Sequence, residues 1–251
     1  MVLRGSVYSN TLGMETGLTV ITPNDYGQAE RYRVCYVLHG LCGGNADFSN
    51  YTMLPYFAYD KDILFLCPEV QRSFYTDTDY GMAYFRYVCR ELPHLAKLVF
   101  NISAEREDTA VIGCSMGGYG ALKCALTAPE TFGVCGALAP GCLFLKEYLE
   151  ECRQKKEIDF PDFYGIFGKD LTYQPENDII YLSQQLAADP KREKPRLFIS
   201  VGEQDWLLPD NRRFADFLRP LPFDLQYEEI PGKHDFYAFN EGIKRFISWW
   251  K

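Results

Sequence analysis

The chain has 251 residues, 47% of them apolar and 24% charged, with a formal net charge of −8 and three histidines. That balance excludes a disordered chain, and no run approaches the roughly 18 apolar residues of a membrane span. Without a Lys/Arg-rich block there is no electrostatic footprint for phosphate backbones or anionic lipid, so neither nucleic acid nor a membrane is expected as partner.

The first residues, Met1 to Ser6, lack the basic start and apolar stretch of a secretory signal. Residues 2–8 and 17–22 read as strands, and residues 32–38 as a buried strand that stops at His39-Gly40 and opens into Gly40-Leu41-Cys42-Gly43-Gly44. A helical pattern over 50–59 leads to a strand over 63–67 that ends at Pro68, and a second helix is expected over 82–99. The strand over 109–114 runs into a Ser-Met-Gly-Gly turn and a helix over 117–127, and the strand over 134–138 stops at Pro140-Gly141. Residues 178–188, 210–218 and 236–250 read as helices, with strands over 196–201 and 223–230. Alternating strands and helices, with near-continuously apolar strands, imply an α/β fold with a mostly parallel central sheet and helices on both faces.

No linker or repeat divides the chain, so residues 1–251 are expected to form a single domain. Residues 141–176 break the rhythm with a charged run, Lys146-Glu147 through Lys155-Lys156-Glu157, followed by Phe160, Phe163, Tyr164 and Phe167. They form a small insertion before the acid-bearing strand, read either as a connection that fills core gaps or as a cap that walls a pocket. Nine scattered cysteines without a C-x-x-C pair suit buried thiols in a reducing, cytoplasmic setting. His39, His94 and His234 lie too far apart in the chain for a metal-ligand spacing, so no metal is expected.

Gly113-Cys114-Ser115-Met116-Gly117 matches G-x-S-x-G in the strand-to-helix context where the middle serine is presented as a nucleophile. A serine hydroxyl needs a base, and an imidazole with its ordinary pKa of about 6.5 suits neutral pH. The chain order of such sites, nucleophile then acid then histidine, selects His234 on a loop after a strand. His39 is then a structural residue of the oxyanion loop, and His94 a helix-face residue. Asp205, just after the 196–201 strand, is the expected acid, with Glu203 and Asp210 as neighbours that compete and Asp235 too close to the base. The backbone N–H groups of Met116 and Leu41 are the expected oxyanion donors. The competing reading of Ser115 as a helix N-cap in a phosphate-binding protein lacks the P-loop lysine.

These residues resemble the esterase branch of the α/β-hydrolases, the group of esterase D, S-formylglutathione hydrolase, feruloyl and acetyl-xylan esterases and mycolyltransferases. The chain looks most like the bacterial tributyrin esterases. The likeness rests on Leu38-His39-Gly40-Leu41, Phe74-Tyr75-Thr76-Asp77-Thr78-Asp79-Tyr80-Gly81, Glu91-Leu92-Pro93, residues 113–120, Phe167-Gly168, Gly202-Glu203-Gln204-Asp205 and His234. It implies an α/β-hydrolase fold and a serine carboxylesterase acting on small short-chain acyl esters, without a cofactor. Feruloyl, acetyl-xylan and S-formylglutathione-type activities are alternatives within that group, and a catalytically silent binding protein is the alternative outside it. Ser115, Asp205 and His234 become the implied triad, with Leu41 and Met116 as donors; Trp206 and Phe236 are expected substrate contacts, and Tyr75, Asp77 and Asp79 are read either as substrate contacts or as a turn whose carboxylates satisfy backbone donors. Phe48 and Phe236 stand where the family is expected to carry larger aromatics, a difference expected in the pocket walls. Homo-oligomerisation is left open by the sequence.

Overall fold

A computed structural model describes residues 1–155 and 158–250. Eight strands form one sheet in the order β1-β2-β4-β3-β5-β6-β7-β8. These are β1 (Val2–Ser9), β2 (Met14–Ile21), β3 (Arg33–Leu38), β4 (Ile63–Pro68), β5 (Thr109–Cys114), β6 (Val134–Leu138), β7 (Arg196–Gly202) and β8 (Leu225–Ile230). β1 and β2 form an antiparallel hairpin and β2 runs antiparallel to β4; every other pairing is parallel.

Alternate side chains of each central strand feed two separate cores. From β3, Val34, Tyr36 and Leu38 enter one and Cys35 and Val37 the other; from β5, Val111 enters the first and Ala110 and Ile112 the second. Burial on both faces is why these strands carry no polar alternation. The chain leaves β3 for β4 on one side and returns to β5 on the other. The crevice beyond the carboxyl ends of β3 and β5 is therefore the topological switch point, where ligands bind in open α/β sheets.

Two expected helices differ from their sequence patterns, and proline is the reason in each. The helix expected over 50–59 is two short ones, α1 (Asp47–Tyr51) and α2 (Leu54–Phe57), separated by an extended Thr52. Pro55 sits in the first turn of α2, where its missing N–H costs nothing, and could not sit inside a continuous helix. The helix expected over 82–99 is α3 (Tyr84–Arg86) and α4 (Leu92–Val99), joined by a π-helical turn at Tyr87–Glu91. Pro93 cannot donate to the carbonyl four residues back, and the widened turn accommodates its ring.

The remaining helices follow their expected places: α5 (Met116–Thr127), α8 (Ile179–Ala188), α9 (Leu208–Leu218) and α10 (Phe236–Trp249). Within residues 141–176 lie α6 (Leu145–Lys155) and α7 (Asp162–Phe167). Lys156 and Glu157 of the charged run lie outside the described residues. Among the described residues no helix is long and apolar enough to cross a membrane.

Candidate active site

Ser115 links β5 to α5 with φ 55° and ψ −117°. For a residue with a Cβ this is a sparsely populated conformation, held only where the surroundings over-determine it. Its N–H donates to Leu138 O at 2.8 Å, and its own carbonyl accepts from Tyr119 N at 3.1 Å. The flanking glycines are steric requirements. A Cβ on Gly117 would sit 2.0 Å from Leu38 O, and one on Gly113 would sit 2.3 Å from Gly117 O. The elbow thus presses directly on the end of β3.

Asp205 and His234 stand on two loops tied together by backbone. Gln204 N–H donates to Gly232 O at 2.9 Å and Glu203 N–H to Ile230 O at 2.8 Å. Asp205 has a fully buried side chain; its Oδ2 accepts from His234 Nδ1 at 2.7 Å and its Oδ1 from Leu207 N–H at 2.8 Å. The bond to Asp205 assigns a proton to Nδ1, which leaves Nε2 as the basic nitrogen of a neutral ring. Phe239 meets the imidazole edge-on at 5.2 Å, and Trp206 flanks it at 5.4 Å. Of the other three carboxylates considered, Glu203 is exposed, Asp210 lies in the first turn of α9, and Asp235 caps α10 through Tyr237 and Ala238 N–H.

His39 is buried beneath residues 40–44. His39 Nδ1–H donates to the Gly40 carbonyl at 2.8 Å, and its Nε2 stands 3.2 Å from Val70 N. Gly43 N–H donates to the same carbonyl at 3.1 Å. Because the peptide is planar, two donors on Gly40 O also fix the direction of Leu41 N–H on its other edge. Gly40 lies against Ser115, since a Cβ there would be 3.8 Å from Ser115 Cβ. Neither Leu41 nor Met116 N–H has an acceptor among the described residues. His94, in contrast, is exposed on α4.

Glu69 braces the same loop. Its carboxylate accepts from Asn45 N–H at 3.0 Å and Gln71 N–H at 2.7 Å, and stands 3.3 Å from His39 Nε2. Burial pushes its carboxyl up, but His39 and the two N–H groups outweigh that and bring it down to about 2. A folded-state value below the ordinary one stabilises the fold above about pH 4.5, and this contribution fades as pH falls toward 2. Glu69→Gln is expected to lower Tm by about 2–4 °C at pH 7, with the gap to wild type closing below pH 4.5 in melts recorded across that range.

Ser115 and His234 line one cavity of about 850 Å³, together with Leu41, Met116, Trp206 and Phe236. Two aromatic expectations need correcting. Tyr75 is fully buried and its hydroxyl donates to His39 O at 2.9 Å, so it is no substrate contact; the neighbouring Phe74 lines the cavity instead. Phe48 is not in the wall but buried one layer behind it, edge-on to Phe236 at 6.4 Å. Asp77 likewise faces Arg86, accepting from its N–H and Nε.

Residues 141–176 supply a wall the sequence reading left open. Phe144, Glu147, Tyr148 and Glu151 line the cavity, at a spacing that puts them on one face of the α6 segment, and Phe160 joins them. Phe163 and Phe167 pack behind, within the core. Arg213 of α9 holds Glu147 through two hydrogen bonds of 2.6 and 2.7 Å and lies over the Phe144 ring at 3.8 Å. The periodicity of residues 144, 147, 148 and 151 was the available signal for this wall.

A family model described as Putative esterase matches residues 9–251. The acetyl esterase of Caldicellulosiruptor saccharolyticus is 27% identical over 99% of this chain and 97% of its own length. FphF, a fluorophosphonate-binding serine hydrolase of Staphylococcus aureus, superposes with a TM-score of 0.86 at 30% identity, covering 100% of this chain and 98% of that one. The S-formylglutathione hydrolase of Bos taurus is 33% identical over 61% of this chain, which spans half of that enzyme's length.

Proposed function

The chain belongs to the Putative esterase family and is a serine carboxylesterase, and from that premise we propose that it hydrolyses short-chain acyl esters through an acyl-enzyme on Ser115. The observation that carries the reading is the 2.7 Å bond from His234 to the buried Asp205 on the same cavity as Ser115. In this mechanism Ser115 Oγ attacks the ester carbonyl as its proton passes to His234 Nε2. The oxyanion is met by Leu41 and Met116 N–H, Asp205 stabilises the imidazolium, and collapse expels the alcohol with the proton from His234. Water then repeats the sequence on the acyl-serine.

The test is pre-steady-state hydrolysis of p-nitrophenyl acetate and butyrate, with fluorophosphonate labelling mapped by peptide. The expected result is a stoichiometric burst of nitrophenol and a single adduct on Ser115; an adduct elsewhere, with Ser115 unmodified, overturns the assignment.

Aromatic side chains Phe74, Tyr148 and Phe160 also fit an aryl acyl group, so feruloyl esters are the second substrate class to assay. Charge argues against anionic substrates such as a glutathione thioester. Glu147, Glu151, Asp159 and Asp210 line the cavity, and among the described lining residues Arg213 is the one Lys or Arg and is engaged by Glu147. A neutral butyrate ester is expected to exceed the matching succinate half-ester in kcat/KM by about tenfold or more at low salt, the gap narrowing as salt screens the field. Salt titration of the two rates checks this.

A further inference from the structure

Tyr75, fully buried, connects the helix behind the nucleophile to the loop that precedes Leu41. Its hydroxyl donates to His39 O at 2.9 Å. Its ring lies so close to α5 that a Cβ on Gly120 would be 2.4 Å from ring carbon Cγ. Its own carbonyl accepts from Lys123 Nζ at 3.1 Å. Lys123, on the same helix, is 1% exposed; its ammonium also donates to Asn177 Oδ1 and lies 4.2 Å over the Phe85 ring. Asn177 in turn is fixed to α5, since its carbonyl accepts from Tyr119 Oη at 2.6 Å.

Phe74 and Tyr75 are consecutive residues with φ of 50° and 51°, and neither is glycine. Two adjacent left-handed residues with side chains persist only where surrounding contacts hold them. The kink has a use at both positions, with Phe74 lining the cavity and Tyr75 beneath the oxyanion loop. A buried ammonium is costly unless its donors are matched, and here it is matched to the carbonyl that the kink presents.

We propose that Tyr75 is a positioning residue for the oxyanion loop, a strut anchored on the nucleophile helix by Lys123 and bearing on the His39 carbonyl. The proposal rests on the reading of Ser115 as nucleophile and Leu41 N–H as oxyanion donor. By fixing the peptide before Gly40, the strut complements the two donors on Gly40 O and sets the distance between Leu41 and Ser115. An oxyanion donor acts mainly on the transition state, so loosening it should lower kcat and leave substrate binding little changed.

Tyr75→Phe removes the hydroxyl and keeps the ring against Gly120. Per active site titrated by the burst, kcat for a butyrate ester is expected to fall about tenfold, less than the 10²–10³ of losing a donor outright, with KM within twofold. A short alkyl boronic acid, which forms a tetrahedral adduct on the serine, should lose affinity by the same factor as kcat/KM. Lys123→Met should act in the same direction, and the double variant should lose no more than the larger single loss, because both act through one loop. A kcat per site within twofold of wild type for Tyr75→Phe, a loss confined to KM with unchanged boronate affinity, or strictly multiplicative losses in the double variant overturns the strut. Ser115→Ala separates the two layers: activity retained there removes the underlying reading, whereas an inactive Ser115→Ala beside a fully active Tyr75→Phe removes the strut alone.

Discussion

Ser115→Ala is expected to lower kcat for a short-chain ester by about 10⁵- to 10⁶-fold, the scale seen when a serine nucleophile is removed. The loss should fall on kcat, because the hydroxyl contributes chiefly to the transition state and the cavity walls that bind the substrate are untouched. The fold should persist: Ala keeps the Cβ of the residue at φ 55°, and Ser115 Oγ lies among no hydrogen bonds between the described residues. Ser115→Gly is the informative companion. Glycine adopts a positive φ without a Cβ penalty, so this variant should be equally inactive yet raise Tm, reporting the strain stored in the elbow. Kinetics with circular dichroism on both variants check the pair. A kcat within tenfold of wild type in either would place the nucleophile elsewhere.

β3, β4, β5 and β6 were legible because each is buried on both faces and has a Gly or Pro within three residues of its carboxyl end, where the sheet places its functional loops. The elbow was legible for a sharper reason. Gly113 and Gly117 are the residue type the packing there permits, so steric necessity is written directly into the pattern. Asp205 and His234 followed from chain order and loop position, and the structure brings their side chains to 2.7 Å.

Tyr75 shows where such reading stops. Its place on the segment that follows the Pro68 strand end suggested that it would line the same mouth as Ser115. The direction of both side chains is set by two left-handed residues, and neither is a glycine or asparagine that would announce the conformation. The information resides in tertiary contacts with Gly120, Lys123 and His39, far away in the chain. Phe48 fails for a related reason: position after the oxyanion loop does not say which aromatic faces the cavity and which supports it from behind. The wall on α6 was different, because the spacing of Phe144, Glu147, Tyr148 and Glu151 is helical and only the charge run around it obscured the face.

Asp205→Asn is expected to lower kcat by about 10⁴-fold while leaving the fold intact. Asp205 accepts on both oxygens, from His234 Nδ1 and from Leu207 N–H. An asparagine has one acceptor and one donor. If its oxygen keeps the Leu207 N–H, its amide donates to His234 Nδ1, the ring proton moves to Nε2, and the nitrogen facing the reaction is no longer a base. If the amide flips, its N–H₂ meets the Leu207 N–H in a fully buried site, and two donors oppose each other without an acceptor. The first arrangement keeps every buried group satisfied, so the isostere should settle into the wrong tautomer rather than unfold. Glu203→Gln, two residues earlier on the same loop but exposed, should stay within twofold of wild type. Steady-state kinetics on the two variants, with ¹⁵N NMR of His234 to read the tautomer, decide the point: wild-type kcat in Asp205→Asn, or a 10⁴-fold loss with the proton still on Nδ1, would show that orienting the imidazole is not what Asp205 does.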